Sequence, residues 1–485
     1  MRILFLNPPF LYKFSREQRS PAVTKSGTIY YPMWLAYAAG YSEQNGHEIF
    51  LIDSPAEDLG FKEIKDRLNK NDFIPNLAVL ATSTPSIYED IKTSEWLKQT
   101  YSGVKVILVG THPTSLPLET FAISDQIDFI ALREYDETIV ELANNLENKI
   151  PLDNIKGLVF KKGGEIINTG LRDYIEDLDK LPFVTGVYKR FLDYKNYFYS
   201  ANLFPVITII TGRGCPFQCE YCLYPQTMLG NRFRKRSLKN VVEEVKYIKE
   251  QFPKVREIFF EDDTLTVDKE RVIRFCNLII KNKLKIKWST NSRAQVDLDT
   301  LKLMKRAGCR LLCVGYESGN QEILDNLNKK ITLDEELQFS KAAKRAGIKI
   351  HGCFLFGYKG ETKETIEKTI NWAIQLNANT AQFFPLMVYP GTKAYTWAES
   401  RNLIRTKNYR HWLTDTGLHN TILDSEHFTG EELVKYCDLA RKRFYLRPSY
   451  IIKKIFEGVF HPKEGIRLTK AFFRFIKYLL GGSDV

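Results

Sequence analysis

Over the first 150 residues, short apolar runs alternate with stretches whose apolar positions recur every three or four residues. The runs at 2–6, 48–52, 77–80, 104–109 and 128–132 read as buried strands, and helical spacing covers 33–44, 88–98 and 136–146. Strands alternating with helices need right-handed crossovers, so 1–150 is predicted to be a doubly wound α/β domain with a parallel sheet. Ligands of such sheets sit beyond the carboxyl ends of the strands. Here those ends are Asn7-Pro8-Pro9, Thr82-Ser83-Thr84-Pro85, Gly110-Thr111-His112-Pro113 and Arg133-Glu134-Tyr135. The same residue types also suit plain turns.

Residues 155–168 read as a hairpin around a Gly-Gly turn, and 177–183 as a linker, so 151–200 is a connecting region. A second alternation starts at Val206, with strands expected at 206–210, 257–260, 286–288, 311–314, 349–356 and 381–388. Helical spacing covers 238–251, 269–282, 299–307, 333–346 and 363–376 between them. Six β/α units within 201–400 predict a partial parallel barrel, with its chemistry at the carboxyl ends of the strands. Residues 401–485 form a helical, basic C-terminal segment.

Composition narrows the class. With 485 residues, 44% hydrophobic and 26% charged, the chain is an ordinary globular protein, which excludes disordered and collagen-like classes. Eight cysteines are too sparse for a secreted disulfide scaffold. MRILFLNPPF carries no small-residue cleavage site, and no run reaches the ~18 apolar residues of a membrane span. A cytoplasmic protein with reduced thiols is expected.

The net charge of +12 is uneven: between 441 and 485, eleven Lys and Arg face three acids. Basic residues at 463, 467, 470, 474 and 477 lie opposite Leu468, Ala471, Phe472, Phe475, Ile476 and Leu479. Such a helix suits peripheral contact with an anionic membrane face, or packing on the barrel with its basic side in water. Its aromatic residues do not interleave with the charges, so no nucleic-acid partner is expected.

The densest chemistry is Thr211-Gly212-Arg213-Gly214-Cys215-Pro216-Phe217-Gln218-Cys219-Glu220-Tyr221-Cys222, a C-x3-C-x2-C loop after the first barrel strand. Converging thiolates bind iron–sulfur clusters or zinc. A structural zinc site needs a fourth ligand, but the next cysteine is Cys276 and the next histidine His351. Three cysteines suit a [4Fe-4S] cluster with one iron open, with zinc or three ordinary buried thiols as alternatives. Cys276, Cys309, Cys313, Cys353 and Cys437 lack such spacing and read as core residues.

This loop resembles the signature of the radical S-adenosylmethionine (SAM) superfamily, and the preceding sheet resembles the cobalamin-binding domain of one of its branches. Tyr31-Pro32-Met33-Trp34-Leu35-Ala36, Leu181-Pro182-Phe183-Val184-Thr185, Cys222-Leu223-Tyr224-Pro225-Gln226-Thr227, Val314-Gly315-Tyr316-Glu317-Ser318-Gly319-Asn320 and Arg443-Phe444-Tyr445-Leu446-Arg447-Pro448 resemble a narrower group. That group is the radical SAM protein of hopanoid side-chain biosynthesis, related to the anaerobic magnesium-protoporphyrin ester cyclase. The resemblance spans nearly the whole chain.

It implies that Cys215, Cys219 and Cys222 ligate the cluster and that SAM chelates the open iron. One electron from a flavodoxin or ferredoxin-type donor would then release methionine and a 5′-deoxyadenosyl radical. Tyr221 would lie against adenine, and Glu261-Asp262-Asp263 would accept hydrogen bonds from the SAM ammonium, although Glu-Asp replaces the family's usual glycine pair. Ser289, Asn291 and Arg293 would hold the ribose and the methionine carboxylate, for which the Arg fork is suited, and Glu317 would take the ribose hydroxyls. An exposed acidic strand end and a surface ion pair are the plainer alternatives. Met387–Thr392 (MVYPGT) closes the last strand in the family's style, its Pro-Gly turn being structural.

The Asp-x-His-x-x-Gly loop of many cobalamin enzymes is absent, so any cobalt is expected to lack a histidine ligand. Asn7, Pro8, Thr82, Ser83, Thr84, Gly110, Thr111, His112 and Glu134 would then border the corrin, unless the sheet is empty. The resemblance implies a radical rearrangement of a lipid-linked sugar or isoprenoid (hopanoid-like) small-molecule substrate. The alternatives are cobalamin-dependent C-methylation, with SAM used twice per turnover, and a non-catalytic iron–sulfur electron-transfer module. No catalytic acid or base is readable; 411–427, with His411, His419 and His427, is a candidate lid.

Overall fold

The computed structural model describes residues 1–460. The basic helix expected over 463–477 lies outside the described residues. Two compact units result: Met1–Asp263 with Tyr389–Thr396 and Thr406–His419, and Thr264–Val388 with Trp397–Arg405 and the chain from Asn420.

The first unit carries a seven-stranded sheet in the order β2-β1-β3-β4-β5-β6-β7. Its strands are β1 Arg2–Asn7, β2 Glu48–Asp53, β3 Leu77–Thr82, β4 Lys105–Gly110, β5 Phe129–Ala131, β6 Leu158–Lys162 and β7 Glu165–Asn168. The first five pair in parallel. The expected hairpin adds β6 and β7 antiparallel at one edge. Every residue of β3 is buried, as a parallel strand covered on both faces requires. The helix Met33–Gln44 is buried from Met33 to Gly40, so it shows almost no polar stripe. Gly40 permits close packing there, since a Cβ would sit 2.9 Å from both Pro182 and Val187.

The second alternation begins in the same unit, where β8 (Val206–Ile209) pairs in parallel with β11 (Glu257–Phe260). Between them, β9 (Gly212–Arg213) and β10 (Arg234–Lys235) form a short antiparallel ribbon that brackets the cysteine loop. The helix Leu238–Gln251 starts at Ser237, whose hydroxyl accepts the Asn240 N–H. In the second unit β12 (Trp288–Ser292), β13 (Cys309–Glu317), β14 (Lys349–Phe356) and β15 (Thr380–Pro385) pair in parallel in chain order. The helices Leu298–Arg306, Leu333–Ala346 and Lys363–Leu376 connect them. The α/β class with parallel sheets is the one expected.

Local differences have physical causes. β12 begins at Trp288 rather than 286 and runs through Ser289, Thr290 and Asn291, because Trp288 is wholly buried and its indole N–H donates to the Ala307 carbonyl. Thr111–Ser115, expected as a loop, is a short helix. Val184–Phe191 is a helix that the pattern did not mark, and Gly430–Tyr445 is a helix within the C-terminal segment expected to be helical. No helix among the described residues is long and apolar enough to cross a membrane.

Candidate active site

The cysteine loop leaves the β9–β10 ribbon through Gly214, whose φ of 84° is left-handed and whose Cβ would lie 2.3 Å from the Arg232 carbonyl. Cys215 and Cys219 are buried, Cys222 is partly exposed, and none of the three is in a disulfide. The loop's carbonyls are tied down by one side chain. Gln226 Nε2 donates to the oxygens of Cys219, Glu220 and Cys222 at 3.2, 3.1 and 2.9 Å, while its Oε1 accepts the Lys393 N–H at 3.0 Å. Burial pushes the Cys222 thiol well up, Asp263 and the neighbouring cysteines add to that, and Arg19 opposes it.

Three cysteines outside any disulfide on one loop, within electrostatic range of each other, fit a [4Fe-4S] cluster held at three irons. Among the described residues no three His, Cys, Asp or Glu side chains converge to hold a single metal ion.

Beside the loop, the three acids after β11 divide. Asp262 accepts the Thr211 N–H and hydroxyl at 2.6 and 2.5 Å, which ties two strand ends together. Glu261 and Asp263 instead hold Arg19. Its Nη1 donates to the Glu261 carboxylate, and its Nη2 to Asp263 Oδ1 at 3.1 Å and to the carbonyls of Glu261 and Asp262 at 3.4 and 3.5 Å. Burial opposes the charge on Arg19, but Glu261 and Asp263 outweigh it and raise the guanidinium pKa. No periodicity marks Arg19; it sits in a turn-like stretch, Ser15-Arg16-Glu17-Gln18-Arg19-Ser20.

The rim of the seven-stranded sheet also divides. A small pocket is lined by Arg16, Glu17, Thr82, Gly110, Thr111 and Tyr224, among others. Thr82, Gly110 and Thr111 were expected there; Arg16, Glu17 and Tyr224 were not. Gly110, at φ 122°, brings its backbone against β3, since a Cβ would meet the Thr82 oxygen at 2.4 Å. The other rim candidates are engaged with neighbours. Asn7 donates to Asp53 at 2.6 Å and accepts from Arg16 at 2.9 Å, and the Pro8 carbonyl accepts from Arg16 at 2.7 Å. Ser83 bonds Ser86 at 2.8 Å, and Thr84 lies 3.3 Å from His112 Nδ1. His112 is wholly buried and pushed down to about 3 by that burial. Glu134 makes a two-pronged pair with Arg234 at 2.8 and 2.6 Å, and Arg213 beside it pairs with Asp136.

Glu17 enters the pocket from the loop before the first long helix. Its two oxygens accept the N–H groups of Trp34 and Leu35 at 2.7 and 3.0 Å, at that helix's N-terminus. Burial pushes its carboxyl up to about 8, and these two bonds pull against the rise.

In the second unit Ser289 is buried on β12, and Asn291 follows it. Arg293 donates to the carbonyls of Lys329 and Lys330 and, at 3.1 Å, to Gln295. Glu317, at φ 67°, accepts from Lys329 Nζ at 2.8 Å, with both side chains buried. Arg293 and Glu317 thus meet at Lys329, which the sequence did not single out. Tyr221 is half-buried on the cysteine loop. Of the lid histidines, His411 and His427 are exposed, whereas His419 Nε2 lies 3.0 Å from Ser20 Oγ and 3.2 Å from the Tyr389 hydroxyl.

Comparison with known proteins agrees with this architecture. The Radical SAM superfamily model matches residues 209–373, and the B12 binding domain model matches 19–143. The chain is 32% identical over 458 residues to an uncharacterized methyltransferase of Pyrococcus horikoshii, covering 94% of this chain and 95% of that protein. It is 26% identical over 460 residues to the anaerobic magnesium-protoporphyrin IX monomethyl ester cyclase of Cereibacter sphaeroides, covering 92% and 71%. The radical SAM methyltransferase TsrM from Kitasatospora setae shares its fold, with a TM-score of 0.70 at 16% identity over 92% of this chain and 90% of that one. The cofactors are those of such an enzyme: a [4Fe-4S] cluster, SAM and cobalamin. The chain belongs to the radical SAM superfamily, in the branch that carries an N-terminal B12-binding domain.

Proposed function

We propose that the chain is a cobalamin-dependent radical SAM C-methyltransferase. One observation carries the reading: the first unit's pocket is lined both by Thr82, Gly110 and Thr111 of the sheet rim and by Tyr224, two residues beyond the last cluster cysteine. When bound, the cluster supplies the electron that splits SAM and the cobalamin carries a methyl group. Cys215, Cys219 and Cys222 would hold the cluster and Tyr221 would face adenine, while Gln226 fixes their loop. Glu261 and Asp263 would accept the SAM ammonium, while Asp262 keeps their strand end in place. In the second unit Ser289, Asn291, Arg293 and Glu317 are the candidates for ribose and carboxylate.

The similarity to a protein named a methyltransferase along 95% of its length favours methyl transfer over the rearrangement expected from the sequence. An isoprenoid or other lipid substrate remains the proposed class. The basic C-terminal sequence and the exposed Ile451, Ile452 and Ile455 on the helix Pro448–Phe460 support contact with an anionic lipid surface.

The test is anaerobic reconstitution with iron, sulfide and cobalamin, then turnover with trideuteromethyl-SAM, a reductant and separate lipid and aqueous cell extracts. A lipid-fraction product carrying the intact labelled methyl is expected. Formation of 5′-deoxyadenosine with no label in any product would overturn methyl transfer in favour of a cyclase-like or rearrangement reaction.

A further inference from the structure

We propose that Arg19 is a cationic gate on the SAM site: its guanidinium occupies the acceptors at the end of β11 that the SAM ammonium requires, and SAM enters by exchanging one cation for the other. The inference rests on the reading of Glu261–Asp263 as the ammonium site.

Three observations carry it. First, everything Arg19 touches there is an acceptor: the carboxylates of Glu261 and Asp263 and the backbone oxygens of Glu261 and Asp262. Such a set suits a cation, and a primary ammonium has the same needs as a guanidinium. Second, exposure is asymmetric. The side chains of Glu261 and Asp263 are only 10% and 4% exposed, while that of Arg19 is 32% exposed. The buried carboxylates need a counter-cation, and Arg19 already reaches water, so its guanidinium can move into solvent as the ammonium takes its place.

Third, the residues flanking Arg19 are pinned. Arg16 is locked to Asp90 and Asn7, and Glu17 caps the Met33 helix. Gln18 Nε2 donates to the Ala22 carbonyl at 2.9 Å, and Ser20 bonds Tyr389 and His419. The exchange is therefore a swing of one side chain, with the loop backbone held. Its cost appears as a reduced apparent affinity, set by the fraction of molecules in which Arg19 has swung away.

The experiment measures equilibrium binding of three probes to the cluster-reconstituted protein and to Arg19→Ala and Arg19→Lys. SAM and S-adenosylhomocysteine carry the ammonium; 5′-methylthioadenosine lacks it. Arg19→Ala is expected to bind SAM and S-adenosylhomocysteine about tenfold tighter than the parent, corresponding to a gate open in about one molecule in ten. Methylthioadenosine should change less than about twofold, and Arg19→Lys should fall between parent and Ala, because it restores a cation at the same acceptors. SAM should also raise the melting temperature of Arg19→Ala more than that of the parent, a readout that tolerates a less stable variant.

Weaker or unchanged SAM binding in Arg19→Ala overturns the gate and makes Arg19 a supporting contact. Equal tightening of methylthioadenosine overturns it as well, since a general loosening would then be at work. A parent protein whose cluster spectrum ignores SAM removes the underlying reading itself, and the gate with it.

Discussion

Arg16 and Arg19 stand three residues apart on one loop, and both face carboxylates, yet they do different work. Arg16 and its partner Asp90 are both wholly buried. Arg16 donates twice to Asp90, at 2.9 and 2.7 Å, and also to Asn7 and the Pro8 carbonyl, so it ties the end of β1 to the helix Ile87–Thr100. Burial still pushes Asp90 up to about 6, with Arg16 pulling it back, so desolvation dominates this pair. Arg19 is a third exposed and faces acids that are not. The difference shows that the exposure of the cation, rather than the number of its bonds, separates an anchor from an exchangeable contact.

The largest effect that tests this contrast is Arg16→Ala. Leaving Asp90 buried without its partner should cost about 3–5 kcal/mol, read by denaturant unfolding. The loss should be smaller at pH 5 than at pH 8. Without Arg16 the folded-state pKa of Asp90 rises further above its unfolded value, so the variant loses stability as pH climbs through that window. Arg19→Ala should cost less, about 1–2 kcal/mol, because solvent screens its guanidinium although Glu261 and Asp263 then lack their counter-cation. Equal losses for the two variants would erase the distinction.

Glu17, between them, ranks next. Glu17→Ala removes the acceptor for two N–H groups at a helix N-terminus and should cost about 1–2 kcal/mol. Its carboxyl is raised from about 4.5 to about 8 on folding. The stability it contributes is therefore full below the lower value and lost as pH rises through the upper one. Unfolding measured between pH 5 and pH 9 should show a shallower decline in Glu17→Ala than in the parent; an identical slope would mean that Glu17 is ionised throughout.

What could be read in advance follows from distance along the chain. Leu238–Gln251 and Leu333–Ala346 were legible to their ends because an apolar stripe between a Ser or Thr cap and a terminator is local information. The three cysteines were legible for the same reason: eight consecutive positions hold all of them. β12 was misplaced because Ser289 and Thr290 are polar yet fully buried, which periodicity cannot register. Arg19 was invisible because its partner Glu261 lies 242 positions away, and the engagement of Glu134 was hidden because Arg234 arrives from 100 positions away. Rim composition suggested a binding edge but could not show which polar groups the fold had already engaged.

The smallest expected effect belongs to Ser20, and it separates a swinging side chain from a moving loop. Ser20, Tyr389 and His419 form a triangle with contacts of 3.0, 3.1 and 3.2 Å. Burial pushes His419 down to about 4, so at neutral pH the ring is uncharged and its Nε2 either donates or accepts, never both. In either tautomer at most two of the three contacts carry a hydrogen, and a bond between Tyr389 and His419 can persist without Ser20. Ser20→Ala should therefore cost less than about 1 kcal/mol in unfolding experiments. It should also leave SAM affinity within about twofold of the parent, because Arg16, Glu17 and Gln18 still hold the loop from the other side and the gate's open fraction stays the same. Tightening of SAM binding in Ser20→Ala as large as that in Arg19→Ala would show that the loop itself moves, and the contrast between the anchored and the exchangeable arginine would fail with it.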